Sequence, residues 1–70
     1  MEVKNMSLTI DDRKYSIALA KSGLTIDQAA KRAGMSRQRF HMIVNSKRAT
    51  AQAVGKVAKG LGVDVVDIIE

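Results

Sequence analysis

The sequence predicts an all-α fold, a compact bundle of five short helices, and three observations predict it. Apolar residues recur at helical spacing, as in Val54, Val57, Ala58 and Leu61, which fall at i, i+3, i+4 and i+7. Helix-starting signals precede such runs, the clearest being T-x-x-Q at Thr25 and Gln28. Glycines follow them, at Gly23, Gly34 and Gly62.

Residues 1–9 have no helical period and are expected to form an arm. It is either frayed, as termini often are, or a short strand in which Met6, Leu8 and Ile10 alternate with Ser7 and Thr9. The domain proper is assigned to residues 10–70. Thr9 with Asp12 reads as a weak capping box, so the first helix is expected to run from there to about Lys21, carrying Ile10, Tyr15, Ile17, Ala18 and Leu19. The second helix is expected at about 26–33, with Leu24 ahead of its Thr25 cap able to staple onto Ala29. Its inward positions Ala29, Ala30 and Ala33 are all small, which lets another helix come close.

Gly34 supplies a left-handed helix-ending residue without steric cost, Met35 turns inward, and Ser36 caps a third helix expected at about 36–45. On a wheel of 100° per residue, Phe40, Ile43 and Val44 share one face of that helix. Gln38, His41, Met42 and Asn45 take the other, flanked by Arg37 and Arg39. Lys47 and Arg48 follow in a loop. Thr50 caps the fourth helix, which Gly55 and Gly60 should weaken by about 1 kcal/mol each relative to Ala. Asp64 caps a short fifth helix with Val65, Ile68 and Ile69 inward and Val66 outward.

With 70 residues the chain buries only about 60% of its unfolded surface and has no room for a catalytic cleft with its supporting residues. One histidine and no cysteine leave neither a metal-ligand set nor a constellation of nucleophile, base and orienter. An enzyme, a cofactor and a small-molecule site are therefore not expected. The longest apolar run, Ile17 to Ala20, is too short for a signal-peptide core or a membrane span, and the expected setting is the cytoplasm.

Charge is more informative. The formal net charge is +5 and the sequence pI about 10.0. Between Asp27 and Asp64 lie Lys31, Arg32, Arg37, Arg39, Lys47, Arg48, Lys56 and Lys59, with no acidic residue among them. A stretch of one sign suits a polyanion. Lys31, Arg32 and Lys59 also fall near helix C-termini, as Lys21 does before them, and there the helix dipole favours cations. Arg37 and Arg39 sit at a helix start, the opposite end, so the dipole does not account for them. Arg pairs bidentately with guanine, Gln pairs with adenine, and Met can touch a thymine methyl.

The stretch LTIDQAAKRAGMSRQRFHMIVNSKR, followed by KVAKGLGVDVVDII, resembles the phage-repressor and Cro-type (XRE-like) helix-turn-helix family of bacterial DNA-binding proteins. The resemblance covers residues 10–70. It implies a lambda-repressor-like domain whose second helix crosses the DNA backbone and whose third, the recognition helix, enters the major groove. Ala30 and Gly34 fall on the family's small residue and turn glycine, and Phe40 and Ile43 on its buried positions. Arg37, Gln38 and Met42 fall on base-reading positions, with His41 beside them at a base edge or phosphate. Asn45 and Lys47 fall on phosphate-contacting positions, to which Arg39, Arg48, Thr25 and Ser36 are added as candidates. The sequence departs from the family pattern in three ways, at four residues. Ile26 stands where many members carry a phosphate-binding Gln, Leu19 and Val44 where some bury an Arg–Glu pair, and Ser46 where a Gly is frequent.

The implied function is sequence-specific binding of double-stranded DNA by a transcriptional regulator, a repressor acting at a palindromic operator. The implied state is a homodimer, with Val66 and Ile69 as candidates for its contact. The rival reading is a protein-interaction module on the same fold, such as an antitoxin or anti-repressor. A membrane role is not expected, because no helix is both strongly basic and rich in large apolar residues on its other face.

Overall fold

Four α-helices, a two-stranded ribbon and one 3-10 turn make up the computed structural model, which describes residues 7–46 and 48–70. In chain order the elements are β1 (Ser7–Thr9), α1 (Asp12–Ser22), α2 (Ile26–Arg32), α3 (Arg37–Ser46), β2 (Arg48–Thr50), α4 (Ala51–Leu61) and the turn Val65–Asp67. The expectations for residues 1–6 and for Lys47 lie outside the described residues.

The ribbon corrects the all-α expectation. β1 and β2 pair antiparallel, with Ser7 opposite Thr50, Leu8 opposite Ala49 and Thr9 opposite Arg48. Pairing satisfies backbone donors and acceptors that an unpaired arm would leave to water, while Leu8 packs against the core. The other end of the chain joins in. Ile10 bridges Ile69, the Asp11 N–H donates to the Ile68 carbonyl at 2.9 Å, and the Glu70 N–H to the Thr9 carbonyl at 3.0 Å.

That pairing moves the start of the first helix. Thr9 belongs to the ribbon, and Asp11 is the cap, its carboxylate accepting the Lys14 N–H at 2.9 Å. Ile10 is buried, but from ahead of the helix. Ile17 does not join the core: it is 49% exposed. At 100° per residue it lies 200° from Tyr15, so a helix that buries Tyr15 and Ala18 turns it outward.

The expected fifth helix is only the 3-10 turn. The Asp67 carboxylate accepts the Asp64 N–H at 3.0 Å, and the Ile68 N–H donates to the Val65 carbonyl at 3.1 Å. The chain then extends to pair with residues 9–11, so the turn cannot propagate. Ile68 is fully buried, Val65 and Ile69 are half-buried, and Val66 is exposed.

The core is continuous from Ile10 through Phe40 to Val54, Val57 and Ile68. Burying each such side chain stabilises by about 1.5–3 kcal/mol. Phe40 is fully buried, with its ring centroid 6.5 Å from that of Tyr15 in a tilted arrangement that adds to the gain from burial. Burial raises the Tyr15 phenol above its ordinary value. Val44 is buried and Leu19 packs against the core, two apolar residues that need no ionic partner.

α2 and α4 approach closely at Gly60. A Cβ placed on Gly60 would overlap the Ala29 carbonyl oxygen and lie 2.9 Å from Ala33 Cβ. Gly60 is therefore required by packing. It is more than a weakness in α4, and it explains why α2 presents only alanines there.

Candidate nucleic-acid interface

The interface is built outward from two capped helices and the turn between them. Thr25 Oγ1 accepts the Gln28 N–H at 3.1 Å, and Gln28 Oε1 accepts the Thr25 N–H at 2.9 Å, so α2 starts in a full capping box. α2 ends on Gly34, whose φ is 77°. There the Met35 N–H reaches back to the Ala30 carbonyl at 3.0 Å and the Gly34 N–H to the Lys31 carbonyl at 3.1 Å. Ser36 Oγ then accepts the Arg39 N–H at 3.1 Å and starts α3. Each junction is a local hydrogen-bonded unit, and together they set α3 against α2.

α3 is divided cleanly. Phe40, Ile43 and Val44 are buried, and Arg37, Gln38, Arg39, His41, Met42 and Asn45 are exposed. Met42 keeps 61% of its surface, one of three large apolar side chains so exposed among the described residues, with Ile17 and Val66. Asn45 Nδ2 lies 3.3 Å from His41 Nδ1, an i, i+4 contact that ties the two together on the outer face. Arg37 Nε lies 3.5 Å from the Asp27 carboxylate at the start of α2, both side chains about two-thirds exposed at 67% and 68%. An ion pair this exposed adds little to stability.

The remaining candidates are spread around this face. Arg39 lines a shallow cleft of about 90 Å³ between α3 and the start of α4, together with Thr50, Gln52 and Lys56 over a floor that includes Met35 and Ile43. Lys56 and Gln52 had no assigned role in the sequence. The signal for Lys56 was its place in the acid-free stretch, but the fold was needed to bring it beside Arg39. Arg48 is exposed on β2, and Lys47 is outside the described residues. Thr25 and Ser36 use their hydroxyl oxygens as cap acceptors, which leaves each O–H free to donate. Ser46, where the resemblance expects a glycine, has its Oγ 2.8 Å from the Ile43 carbonyl and 3.0 Å from that of Arg48, and so binds the end of α3 to β2.

The two dimer candidates separate. Val66 is 67% exposed, whereas Ile69 is half-buried and bridged to Ile10. Among the described residues no three His, Asp or Glu gather where they could hold a metal ion, and no helix is long and apolar enough to cross a membrane. The arrangement offers hydrogen-bond donors and positive charge on a convex helix face, which suits an extended polyanion better than a small ligand.

Residues 18–68 match the family model of a helix-turn-helix domain. No curated protein and no solved structure matches the chain.

Proposed function

The chain belongs to the helix-turn-helix domain family, an architecture that binds double-stranded DNA, and on that premise we propose that it is a transcriptional repressor whose α3 reads an operator in the major groove. The observation that supports this most is the division of α3, with three apolar residues holding it to the core and every other long side chain facing out. Arg37, Gln38 and Met42 choose the sequence, with His41 at their edge. Arg39, Asn45, Lys47 and Arg48 hold phosphates, aided by the Thr25 and Ser36 hydroxyls and by Lys56. Ile26 stands where many members of the resembled family carry a phosphate-binding Gln, so at the start of α2 only backbone N–H groups remain available to a phosphate. Repression follows from occupancy of a cytoplasmic promoter.

The protein acts as a homodimer on a palindrome whose half-sites lie about 34–36 Å apart. Val66 is exposed on the C-terminal turn, and Ile17 is exposed on α1, where it lines a shallow groove with Lys14, Lys21, Val63 and Asp67. Lysines on one side and an aspartate on the other make this surface self-complementary. A second copy related by a two-fold axis can set each lysine row against the other's acidic turn. The same exposed apolar residues support the rival reading, a protein-interaction module such as an antitoxin or anti-repressor.

Titrating labelled duplex at several salt concentrations separates the two readings. DNA binding through phosphates makes log K fall linearly with log salt, and neutralising Arg39 or Arg48 should lower that slope by about one each. Undiminished activity in the cell after Arg37, Arg39 and Arg48 are all neutralised would favour the protein-interaction module.

A further inference from the structure

Between Asp12 and Asp64 the sequence holds a single acidic residue, Asp27. As a first-turn residue of α2, Asp27 suits the helix dipole, but that does not explain why its carboxylate meets the first residue of α3. The contact runs from Asp27 Oδ1 to the inner nitrogen of Arg37, Nε, at 3.5 Å. A guanidinium carries five N–H donors in a rigid planar fork, of which Nε has only one. The two terminal nitrogens are the ones that pair side by side with guanine O6 and N7, and guanine alone presents two adjacent acceptors in the major groove.

We propose that Asp27 is a positioning residue that holds Arg37 by its inner nitrogen and aims the terminal pair at a guanine, so that the operator carries guanine at the base pair facing Arg37. This rests on Arg37 being a base reader. Without the carboxylate, the long arginine side chain samples many rotamers and can settle on a phosphate of any sequence. The same carboxylate offsets part of the guanidinium's charge, so Arg37 is drawn less strongly to phosphates of any sequence. Asp27 therefore favours the correct site and opposes the wrong ones.

The test measures binding to four duplexes that differ only at the base pair facing Arg37, plus a scrambled duplex. Wild type should prefer guanine by about 5- to 150-fold, the range for one bidentate pair. Asp27→Ala should lose most of that preference while binding scrambled DNA more tightly, and thermal melting checks that the variant is folded. Asp27→Glu keeps the charge but moves the carboxylate by one methylene. It should lose the preference without gaining affinity for scrambled DNA, which covers the case in which the alanine variant does not fold. In an Arg37→Ala background, Asp27→Ala should leave base preference unchanged. If the Asp27 variants shift all five duplexes by one common factor, Asp27 is a bulk charge and the proposal falls while Arg37 keeps its role. If Arg37→Ala itself leaves base preference intact, the base-reading assignment is at fault and the proposal falls with it.

Discussion

The contact between α2 and α4 and the outer face of α3 lie close in the chain, yet opposite constraints govern them. At the first, backbone meets backbone. Gly60 admits no Cβ because the Ala29 carbonyl occupies the space, and Ala29 and Ala30 have no exposed surface at all. At the second, the Met42 side chain stands in solvent, and Arg37 and Gln38 are exposed. The fold dictates the residues at the α2–α4 contact and is indifferent to those on the outer face of α3. Such side chains, carried on a helix whose other side is locked into the core, are free to be chosen by what binds them.

Substitutions can break this contrast or sharpen it. Phe40→Ala should have the largest effect, a loss of about 3–5 kcal/mol in denaturant unfolding, because it empties the centre of the core and removes the ring against Tyr15. Gly60→Ala comes next, at about 1–3 kcal/mol, since the added methyl must push α2 away from α4. A stabilising Gly60→Ala, as helix propensity alone would give, would show that the close approach is not a constraint. Arg37→Ala should change stability by no more than about 0.5 kcal/mol. On DNA it should cost about 1–3 kcal/mol at one base pair and relax specificity there. Equal losses on cognate and scrambled duplex would remove its role as a reader.

The smallest expected effect is alkaline. Burial raises the Tyr15 phenol above the ordinary 10.0 of an unfolded chain. The folded state then keeps a proton that the unfolded state releases. Stability is whole below that ordinary value and declines as pH rises from it through the folded value. Tyr15→Phe should flatten this decline in urea melts run on the alkaline side.

The parts of the molecule that rest on neighbouring residues were legible in the sequence. The Thr25–Gln28 box, the turn at Gly34, the Ser36 cap and the two faces of α3 all follow from residues within about one turn of each other. What was not legible depends on distant partners. The ribbon needs residues 7–9 to find residues 48–50, and the short C-terminal turn needs Ile68 and Glu70 to pair with residues 9–11. Gly60 read as a flaw because its reason lies on another helix, at Ala29. Ile17 is apolar yet exposed, because its angle on the helix turns it away from Tyr15 and the core. At the interface, the exposed face of α3 could be drawn from the sequence, but Lys56 beside Arg39 and Asp27 against Arg37 required the fold.

One measurement bears most directly on whether α3 is a reader of DNA: selection from a pool of random-sequence duplexes at moderate salt with the wild-type protein. Enrichment of an inverted repeat, its half-sites about 34–36 Å apart and equivalent bases set opposite Arg37 and Gln38, is the result expected. No enrichment, with retention of DNA vanishing even at low salt, would contradict it and leave the exposed face of α3 to a protein partner.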